Sequence, residues 1–217
     1  IEALMASQKS LLANASHELR SPLTRIRMGM ELMSGDQPSP ASRAEILRNV
    51  NELDQLVDEI LLASRLDSHE VDVGTAESVD LIGLCAEECA RVDAELQLQD
   101  LAELEVPGVA KLLRRAVRNL LENARRYSHG EITLELARVD GHHAEIRVND
   151  RGPGVPADQR ERIFEKFYRL PGASERSGGV GLGLALVRSI AERHGGSVRC
   201  EGREGGGARF VLCLPLA

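Results

Sequence analysis

Two long runs of apolar residues at helical spacing restrict what this chain can fold into more than any other feature. Apolar side chains recur every three or four positions, with small slips, through residues 1–34 and again through residues 46–61. The positions are Leu4, Leu11, Leu12, Leu19, Leu23, Ile26 and Met30, then Ile46, Val50, Leu53, Leu56, Val57, Ile60 and Leu61. The turn-forming segment Ser34–Pro40 separates the runs, and Ser42 with Glu45 predicts a capping box on the second helix. Two long helices joined by a short turn predict an antiparallel helical hairpin.

The hairpin is expected to bury its apolar stripe against a second copy of itself. A single pair of helices leaves part of such a stripe in water, whereas two pairs form a closed four-helix bundle. Hydrophobic residues make up 42% of the chain and aromatic residues only 2%, which favours packing by leucine, valine, isoleucine and alanine. The sequence therefore predicts a homodimer that forms through residues 1–68.

The rest of the chain predicts a linker and a second domain of mixed structure. The helical period is lost in residues 69–75, and residues 76–217 alternate between helical and strand patterns. Helices are predicted over residues 81–98, 111–127 and 183–194, and strands over residues 101–106, 131–139, 144–148, 197–201 and 208–214. Asp140-Gly141 predicts the turn of a hairpin between two of the strands. Strands on one side and helices on the other predict an α/β sandwich, so the fold class is α plus α+β.

Composition excludes several classes of function. The formal net charge of −7 provides no basic surface of the kind that binds nucleic acid. Cys85 and Cys89 are four residues apart without a matching pair downstream, so we interpret the cysteines as ordinary thiols in a reducing compartment, not as zinc ligands.

The sequence also predicts where membrane segments of the intact protein lie. No segment approaches the roughly 18 apolar residues of a membrane span, and no signal peptide is visible. The chain starts at Ile1 within a helical pattern. We therefore expect a fragment of a longer protein that contacts a membrane only through segments upstream.

The first candidate for chemistry is His17, in the segment Ser16–Leu23. A His-Glu-x-x-His zinc motif is excluded because Ser21 occupies its fifth position. Pro22 removes a helical hydrogen bond to the carbonyl of Glu18 and so places a bend within one turn of His17. A neutral imidazole nitrogen is a good nucleophile toward phosphorus, Glu18 can orient or accept the ring proton, and Ser21 shares its face. The alternative is an ordinary surface histidine on a helical bundle.

A second candidate is the helix that contains Asn119, Asn123 and Tyr127. These residues are four apart and share one helical face, which is an unusual composition for a core stripe. Amide oxygens suit Mg2+, and Arg126 can meet a phosphate. The alternative is a polar helix face without a ligand.

Two glycine-rich segments complete the candidates. The chain has no Walker-type phosphate loop, and Gly178–Leu184 does not fit the dinucleotide pattern. Glycines at the start of a helix nevertheless let backbone N–H groups bind phosphate. In Asp150–Gly154 a carboxylate follows a strand and can accept from an amino group such as that of adenine. Between them, Val155–Ser177 has the length of a loop that folds over a ligand, and it contains the aromatic segment Ile163–Arg169.

The order of these segments resembles the two-component sensor histidine kinases over nearly the whole chain. Ser16–Leu23 is similar to the H-box of that family, Asn119–Tyr127 to its N-box, Asp150–Gly154 to its G1 box, Ile163–Arg169 to its F-box and Gly179–Gly183 to its G2 box. The resemblance implies a dimerisation and phosphotransfer domain followed by an ATP domain of the Bergerat type, which Hsp90, type II topoisomerases and MutL share.

The resemblance implies a role for each matching residue. His17 would be the phosphoacceptor and Glu18 its acid–base partner. In the nucleotide site, Asn123 would be the Mg2+ ligand, with Asn119 beside it. Tyr127 would pack on the adenine, and Asp150, in the loop with Gly152 and Gly154, would accept a hydrogen bond from the adenine amino group. Arg126 and Arg169 would bind phosphates, and the lid glycines would be Gly179, Gly181 and Gly183. ATP and Mg2+ are the implied cofactors, and a response-regulator receiver domain is the implied partner.

Three positions depart from the family pattern. Ser21 stands where family members often carry threonine or asparagine, which position a water for removing phosphate from the regulator. Arg126 replaces a common lysine, which keeps the charge but changes its geometry. Asn119 stands where the ATP-hydrolysing relatives have glutamate, and because an amide is a poor base, transfer to histidine is favoured over hydrolysis.

The expected function is ATP-dependent phosphorylation of His17, followed by transfer to an aspartate of a response regulator. The expected location is the cytoplasmic portion of a bacterial inner-membrane protein. An Hsp90-like ATPase would need an acidic residue at position 119, where this chain has asparagine. A degenerate scaffold would show a broken nucleotide motif, and no such motif is broken in this sequence. A phosphatase-dominant member of the same family remains an alternative, and phosphorylation within one protomer or between two is left open.

Overall fold

The chain forms two compact units, residues 1–69 and residues 70–217. This computed structural model describes residues 2–33, 40–67, 74–99, 102–128, 130–171 and 180–216. Side chains are described from Asn14 onward in the first helix, apart from that of His17 and of residues 31–33, and from Arg43 onward in the second. None of the described helices has both the length and the apolar content that crossing a bilayer requires.

The first unit is a helical hairpin, as predicted. Helix α1 spans Glu2–Met33 and helix α2 spans Pro40–Asp67. Arg25 contacts Asn49, and Gly29, further along α1, contacts Ile46, which lies earlier on α2. The two helices are therefore antiparallel.

The start of α2 differs from the prediction. The helix begins at Pro40, so Ser42 lies inside its first turn and the capping box predicted there is wrong. Proline suits a first helical position because its missing N–H would have no helical partner there. Of the turn predicted over Ser34–Pro40, residues 34–39 lie outside the described residues, as do residues 69–73 of the linker predicted over 69–75.

The second unit contains a five-stranded sheet, a two-stranded sheet and three α-helices within its described residues. The strands are β1 (Glu77–Asp80), β2 (Glu95–Leu98), β3 (Glu105–Gly108), β4 (Thr133–Val139), β5 (His143–Asn149), β6 (Ser197–Gly202) and β7 (Ala208–Pro215). The helices are α3 (Leu81–Val92), α4 (Ala110–Tyr127) and α5 (Gly183–Arg193), with short 3-10 helices at Ala157–Gln159 and Arg162–Phe164. The order in the large sheet is β2-β4-β5-β7-β6, and β1 pairs with β3 alone.

The large sheet is antiparallel except for the pair β2 and β4. The predicted turn at Asp140-Gly141 joins β4 to β5, and both residues have positive φ angles of 49° and 73°. Such angles match the right-handed twist of a tight hairpin. The register of this hairpin continues without a slip to the pair Thr133 and Asn149, which places Asp150 at the end of β5.

The core lies between this sheet and the helices. Alternate residues of the central strands point toward the helices and are buried: Leu134, Leu136, Ile146, Val148, Phe210, Leu212 and Leu214. Helix α4 contacts both α3 and α5, and its side toward the sheet buries leucine, valine and alanine residues. The predicted α/β sandwich is confirmed, and α4 is the central element that positions the candidate site.

Strand β2 is the main element that differs from the predicted secondary structure. The helix predicted over residues 81–98 ends at Val92, because Asp93 adopts the left-handed conformation with φ 57° and Ala94 N–H donates to the Cys89 carbonyl. Residues 95–98 then pair in parallel with β4. The strand predicted over residues 101–106 is displaced to Glu105–Gly108, where β1 supplies its pairing partner.

Candidate functional site

Helix α4 presents the predicted polar face at the boundary of the core. Asn119 is only 5% exposed, whereas Asn123 and Tyr127 are half-buried and Arg126 is exposed in the last turn. The helix thus carries amide groups from the interior to the surface along one face. A polar stripe that begins in the core is stable only where its buried groups find partners.

Asn119 finds its partner at the start of α5. Its amide Nδ2 donates to the Gly183 carbonyl oxygen at 3.0 Å. A Cβ atom added to Gly183 would lie 3.8 Å from the Asn119 amide, so the two residues are in direct contact. The bond joins the N-box segment to the G2 segment, which are 64 residues apart in the sequence.

Asp150 is held rigidly at the end of β5. Its side chain is 4% exposed, and Oδ1 accepts from the backbone N–H groups of Gly152 at 2.7 Å and Ala208 at 3.2 Å. A Cβ atom at Gly152 would lie 2.6 Å from the Tyr127 carbonyl oxygen, so the G1 loop passes against the end of α4. These contacts fix the carboxylate beside the polar face of that helix.

The β6–β7 connection supports this loop, and the sequence interpretation did not include it. Gly207 has φ 96°, and a Cβ atom there would lie 2.1 Å from the Asp150 carbonyl oxygen. Arg203 donates from Nη1 to the same carbonyl at 2.9 Å, and a Cβ at Gly154 would lie 2.9 Å from the Gly207 carbonyl. The run of three glycines at positions 205–207 was the only sequence signal of such a close approach.

The aromatic segment anchors the other side of the G2 glycines. Phe167 N–H donates to the Gly181 carbonyl at 2.9 Å, and Phe167 itself has φ 62°. Gly181 has φ 79°, and a Cβ atom there would lie 2.8 Å from the Phe167 carbonyl carbon. Phe164 packs edge-on against Phe210 with ring centroids 6.4 Å apart, which ties the segment to β7.

Tyr168 and its neighbours complete the aromatic segment. The Tyr168 hydroxyl hydrogen-bonds Gln159, and the Arg162 guanidinium lies 4.5 Å from the centre of the Tyr168 ring. Arg169 follows directly and is half-buried. The segment therefore places Arg169 two residues after Phe167, which contacts Gly181, and outside the core.

The structure joins four of the predicted motifs in one place. Tyr127 meets Gly152, Asn119 meets Gly183, and Gly181 meets the aromatic segment. Gly179 and the rest of residues 172–179 lie outside the described residues, so the predicted loop is described only in part. A fixed carboxylate, an amide-lined helix and a glycine-rich helix start form a set that can recognise a nucleotide base and its phosphates.

The cysteines are not part of this chemistry. Cys200 lies in β6, and burial raises its pKa to about 12, although Arg160 nearby acts in the opposite direction. Burial also raises the pKa of Cys85 and Cys89. These thiols stay protonated near neutral pH and are therefore poor nucleophiles and poor metal ligands. Within the described residues, no three histidine, cysteine or acidic side chains come together as a metal site.

The predicted phosphoacceptor segment lies in α1 of the first unit. His17 is helical, and its side chain is outside the described part of the structure. Around it, Glu18 is half-buried, Ser21 is exposed and Pro22 is buried. Pro22 lies inside the helix, as the sequence predicts, and it leaves the Glu18 carbonyl without a backbone donor from position 22.

Arg25, two residues after this segment, is a residue that the sequence interpretation missed. Its guanidinium donates to the Ser21 hydroxyl oxygen at 3.0 Å, and to Asn49 Oδ1 and Glu52 Oε2 of α2 at 2.7 Å each. The position of Arg25 four residues after Ser21 was visible in the sequence, but its partners on α2 were not.

Comparison with known proteins agrees with the two units. Residues 7–69 match the family model for the His Kinase A (phospho-acceptor) domain, and residues 108–217 match the model for the histidine kinase-, DNA gyrase B-, and HSP90-like ATPase. The chain is 37% identical over 227 residues to sensor protein RstB of Escherichia coli strain K12; the match covers 100% of this chain and 51% of RstB. The chain therefore spans about half the length of this relative.

One further relative and one solved structure are similar to this chain. The match to the signal transduction histidine-protein kinase/phosphatase MprB of Mycolicibacterium smegmatis is 36% identical and covers 96% of this chain and 46% of MprB. The solved structure of the Acinetobacter baumannii histidine kinase AdeS shares the fold, with a TM-score of 0.74 at 22% identity over 92% of this chain and 98% of that one. The chain therefore belongs to the histidine kinase-, DNA gyrase B- and HSP90-like ATPase family, and it also carries a segment that matches the His Kinase A (phospho-acceptor) domain.

Proposed function

We propose that this chain transfers the γ-phosphoryl group of ATP to His17 and then to an aspartate of a response-regulator receiver domain. The observation that carries the proposal is the presence, in one chain, of a phospho-acceptor domain with His17 on its first helix and an ATPase domain whose four nucleotide motifs converge. We further propose residues 1–68 as the phosphotransfer domain, 69–75 as the linker and 76–217 as the ATP-binding domain.

Recognition of the adenine is assigned to Asp150 and Tyr127. Both hydrogen bonds that fix the Asp150 carboxylate use Oδ1, so Oδ2 is the oxygen that accepts from the adenine amino group. Tyr127 is half-buried at the end of α4, next to Gly152, where its ring can pack on the base. Gly152 and Gly154 allow the close backbone approach that holds this loop in place.

Recognition of the phosphates is assigned to the rest of the site. Asn123 offers an amide oxygen of the kind that Mg2+ prefers, one turn beyond Asn119, whose own amide nitrogen is already bonded to the Gly183 carbonyl. When bound, Mg2+ would neutralise charge that develops on the transferred phosphoryl group. Arg126 and Arg169 supply positive charge at the surface of the site. We assign Gly179, Gly181 and Gly183 to the phosphates as well, because Gly183 begins α5 and backbone N–H groups at the start of a helix bind phosphate.

The acceptor step is assigned to the first unit. A ring nitrogen of His17 attacks the γ-phosphorus, the bond to the β–γ bridging oxygen breaks, and ADP leaves with that oxygen. Glu18, adjacent to His17, accepts or orients the ring proton during the attack. The later transfer breaks the nitrogen–phosphorus bond and forms an oxygen–phosphorus bond to the carboxylate of the receiver domain.

The acceptor domain is proposed to act as a homodimer. Among the hairpin side chains that the structure describes, six large apolar ones are exposed in the single chain: Leu23, Met28, Met30, Leu47, Val57 and Leu61. An exposed apolar stripe on paired helices favours burial against a second copy. We propose that the intact protein is anchored in a bacterial inner membrane with this portion in the cytoplasm, and the roughly twofold greater length of RstB supports additional segments.

The test is labelling with γ-labelled ATP and Mg2+. We expect acid-labile, alkali-stable label on the native chain and none on His17→Ala or Asn123→Ala. Addition of a receiver domain should move the label to an acid-stable, alkali-labile aspartyl phosphate. Label that persists on His17→Ala contradicts the assignment of the acceptor, and binding of ATP without any label contradicts the kinase function.

Phosphatase activity toward the regulator is a second proposed function. The Ser21 hydroxyl lies one turn from His17 on an exposed helix surface and is held by Arg25. The relative MprB is a histidine-protein kinase/phosphatase, which supports the combination of both activities in this chain. Ser21→Ala should retain phosphorylation of His17 and slow the release of phosphate from the receiver domain.

A further inference from the structure

The guanidinium of Arg25 connects Ser21 to the opposite helix of the hairpin. Nη1 donates to Ser21 Oγ at 3.0 Å, Nε to Asn49 Oδ1 at 2.7 Å, and Nη2 to Glu52 Oε2 at 2.7 Å. Three acceptors on two helices are thus held by one planar group, whose fork of N–H donors is rigid.

The α2 side of this cluster is itself fixed. Asn49 is buried at 6% exposure, and its Nδ2 donates to the Glu45 carbonyl at 2.8 Å, so its oxygen must point toward Arg25. Glu52 adds an ion pair to the same guanidinium, and both side chains remain about 40% exposed. An exposed ion pair alone contributes little to stability. The main effect of the three contacts is therefore to fix the direction of the Arg25 guanidinium.

The contact with Arg25 determines the chemistry of the Ser21 hydroxyl. A serine hydroxyl has one proton to donate and two lone pairs. Because a lone pair of Ser21 Oγ is occupied by a cationic donor, the hydroxyl proton is free to point away from Arg25 and donate to another acceptor. The serine therefore behaves as a hydrogen-bond donor of fixed direction on the helix face that also contains position 17.

We infer that Arg25 is a positioning residue for Ser21 in removal of phosphate from the receiver domain, and that it couples this step to the packing of α1 against α2. The inference rests on the proposed function and deepens it. Ser21 donates to the oxygen of the attacking water, whose second lone pair forms the new bond to phosphorus. The bond from phosphorus to the receiver aspartate breaks, its electrons return to the carboxylate, and the water proton passes to solvent as inorganic phosphate leaves.

The coupling follows from the position of the acceptors. Asn49 and Glu52 lie on α2, whereas Ser21 and Arg25 lie on α1. A shift of one helix along the other moves the α2 acceptors away from the guanidinium. The Ser21 hydroxyl then loses its fixed direction. Movement between the helices therefore weakens phosphate removal while the phosphorylation of His17 does not depend on this contact.

The experiment measures two rates on the full chain and its variants. The first is the formation of phosphohistidine from γ-labelled ATP, and the second is the release of inorganic phosphate from a phosphorylated receiver domain. The receiver domain is chosen from a panel because it accepts label from the native chain, and it is freed of ATP before use. The variants are Ser21→Ala, Arg25→Ala, the double variant and Glu52→Gln, with Arg48→Ala on the exposed side of α2 as the matched control.

Arg25→Ala is expected to slow phosphate release about tenfold, as Ser21→Ala does, and the double variant should be no slower than Ser21→Ala alone. Phosphohistidine formation should stay within about twofold in these variants, and Glu52→Gln should give an intermediate loss of phosphate release. Equal losses of both rates, additive losses in the double variant, or no loss in Arg25→Ala overturn the inference. A native chain that forms no phosphohistidine, or labels no receiver, overturns the proposed function instead, and the inference with it.

Discussion

The Asn119 side chain and the Gly183 backbone are joined by a hydrogen bond of 3.0 Å between Nδ2 and the carbonyl oxygen. The bond links the middle of α4 to the first residue of α5. Since Asn119 is 5% exposed, its amide is a structural tie between the two helices as well as part of a polar face. The start of α5, which is proposed to meet phosphate, is therefore held by the same helix that offers Asn123.

Substitution of Asn119 should weaken nucleotide binding by loosening this tie. Asn119→Ala removes the side-chain donor, while the Gly183 carbonyl keeps its helical partner within α5, so the expected cost is about 0.5–1.5 kcal/mol, or about two- to tenfold in affinity. Asn119→Asp should be worse than alanine because a carboxylate repels the carbonyl oxygen. Titration with a fluorescent ATP analogue measures both, and Arg125→Ala, an exposed residue of the same helix, is the control. Equal affinity of native chain and Asn119→Asp contradicts the prediction.

Gly181→Ala should disturb the site through contact with Phe167 more than through backbone strain. Gly181 has φ 79°, and the added Cβ would lie 2.8 Å from Phe167 backbone atoms. Gly141 is a matched control, since its φ is 73° and a Cβ there meets nothing within 4 Å. Gly141→Ala should therefore report only the strain of about 1 kcal/mol. Nucleotide affinity should fall at least tenfold in Gly181→Ala and be unchanged in Gly141→Ala; equal affinities would show that the contact is unimportant.

The sequence predicted those parts of the site whose residues carry both their chemistry and their local conformation. Asn119, Asp150 and Gly183 each lie in a short segment with a recognisable composition, and the structure brings their segments together. Contacts that depend on a distant partner were not predictable. The role of Arg203 at the Asp150 carbonyl requires the pairing of β5 with β7, and the contacts of Arg25 require the register of the helical hairpin.

Local conformation explains the main error in the predicted secondary structure. Leu96 and Leu98 continue the apolar pattern of α3, so periodicity alone extends that helix to residue 98. The left-handed conformation of Asp93 ends it six residues earlier, at Val92, and tertiary pairing with β4 then determines the strand. A lone aspartate gives little warning of such an end, because aspartate adopts the left-handed conformation only occasionally.

His194 should contribute to stability because its side chain joins the end of α5 to the start of α4. Its Nδ1 lies 2.7 Å from the Ile190 carbonyl, and its Nε2 accepts from Val109 N–H at 3.0 Å. His194→Ala leaves that N–H without a partner and should lower the free energy of unfolding by about 1–3 kcal/mol. Urea unfolding measures the change. His143→Ala, which removes only a surface contact with Asp140, should stay within about 0.5 kcal/mol, and similar losses in both variants contradict the prediction.

Glu88 should make the second unit sensitive to acid. Its carboxylate is 1% exposed and receives a bidentate contact from Arg118 at 2.8 Å and 2.9 Å. The hydrogen bond from Arg118 is the largest cause that lowers the pKa of Glu88, against the effect of burial. The resulting stability is present above the ordinary glutamate pKa of about 4.3 and is lost as the pH falls through the lower folded value.

Glu88→Gln should therefore lower the unfolding free energy at pH 7 by about 1–3 kcal/mol and reduce its decline below pH 4. Urea unfolding from pH 7 to pH 3 measures both quantities. Glu87→Gln is the matched control, since Glu87 contacts Arg114 from a side chain that is 65% exposed. The prediction is contradicted when native chain and Glu88→Gln lose stability equally between pH 5 and pH 3.

Dimerisation should depend on the apolar stripe of the hairpin and not on apolar residues of the ATP-binding unit. Leu47 and Leu61 are 55% and 49% exposed and lie two heptads apart on α2, so they fall on one seam of a bundle. Leu47→Lys together with Leu61→Lys would bury charge in that seam and should convert the chain to a monomer at micromolar concentration. Leu98→Lys, at an exposed leucine of β2, should leave the dimer unchanged. Sedimentation velocity distinguishes these outcomes, and a double variant that remains dimeric would place the dimer interface on a different surface.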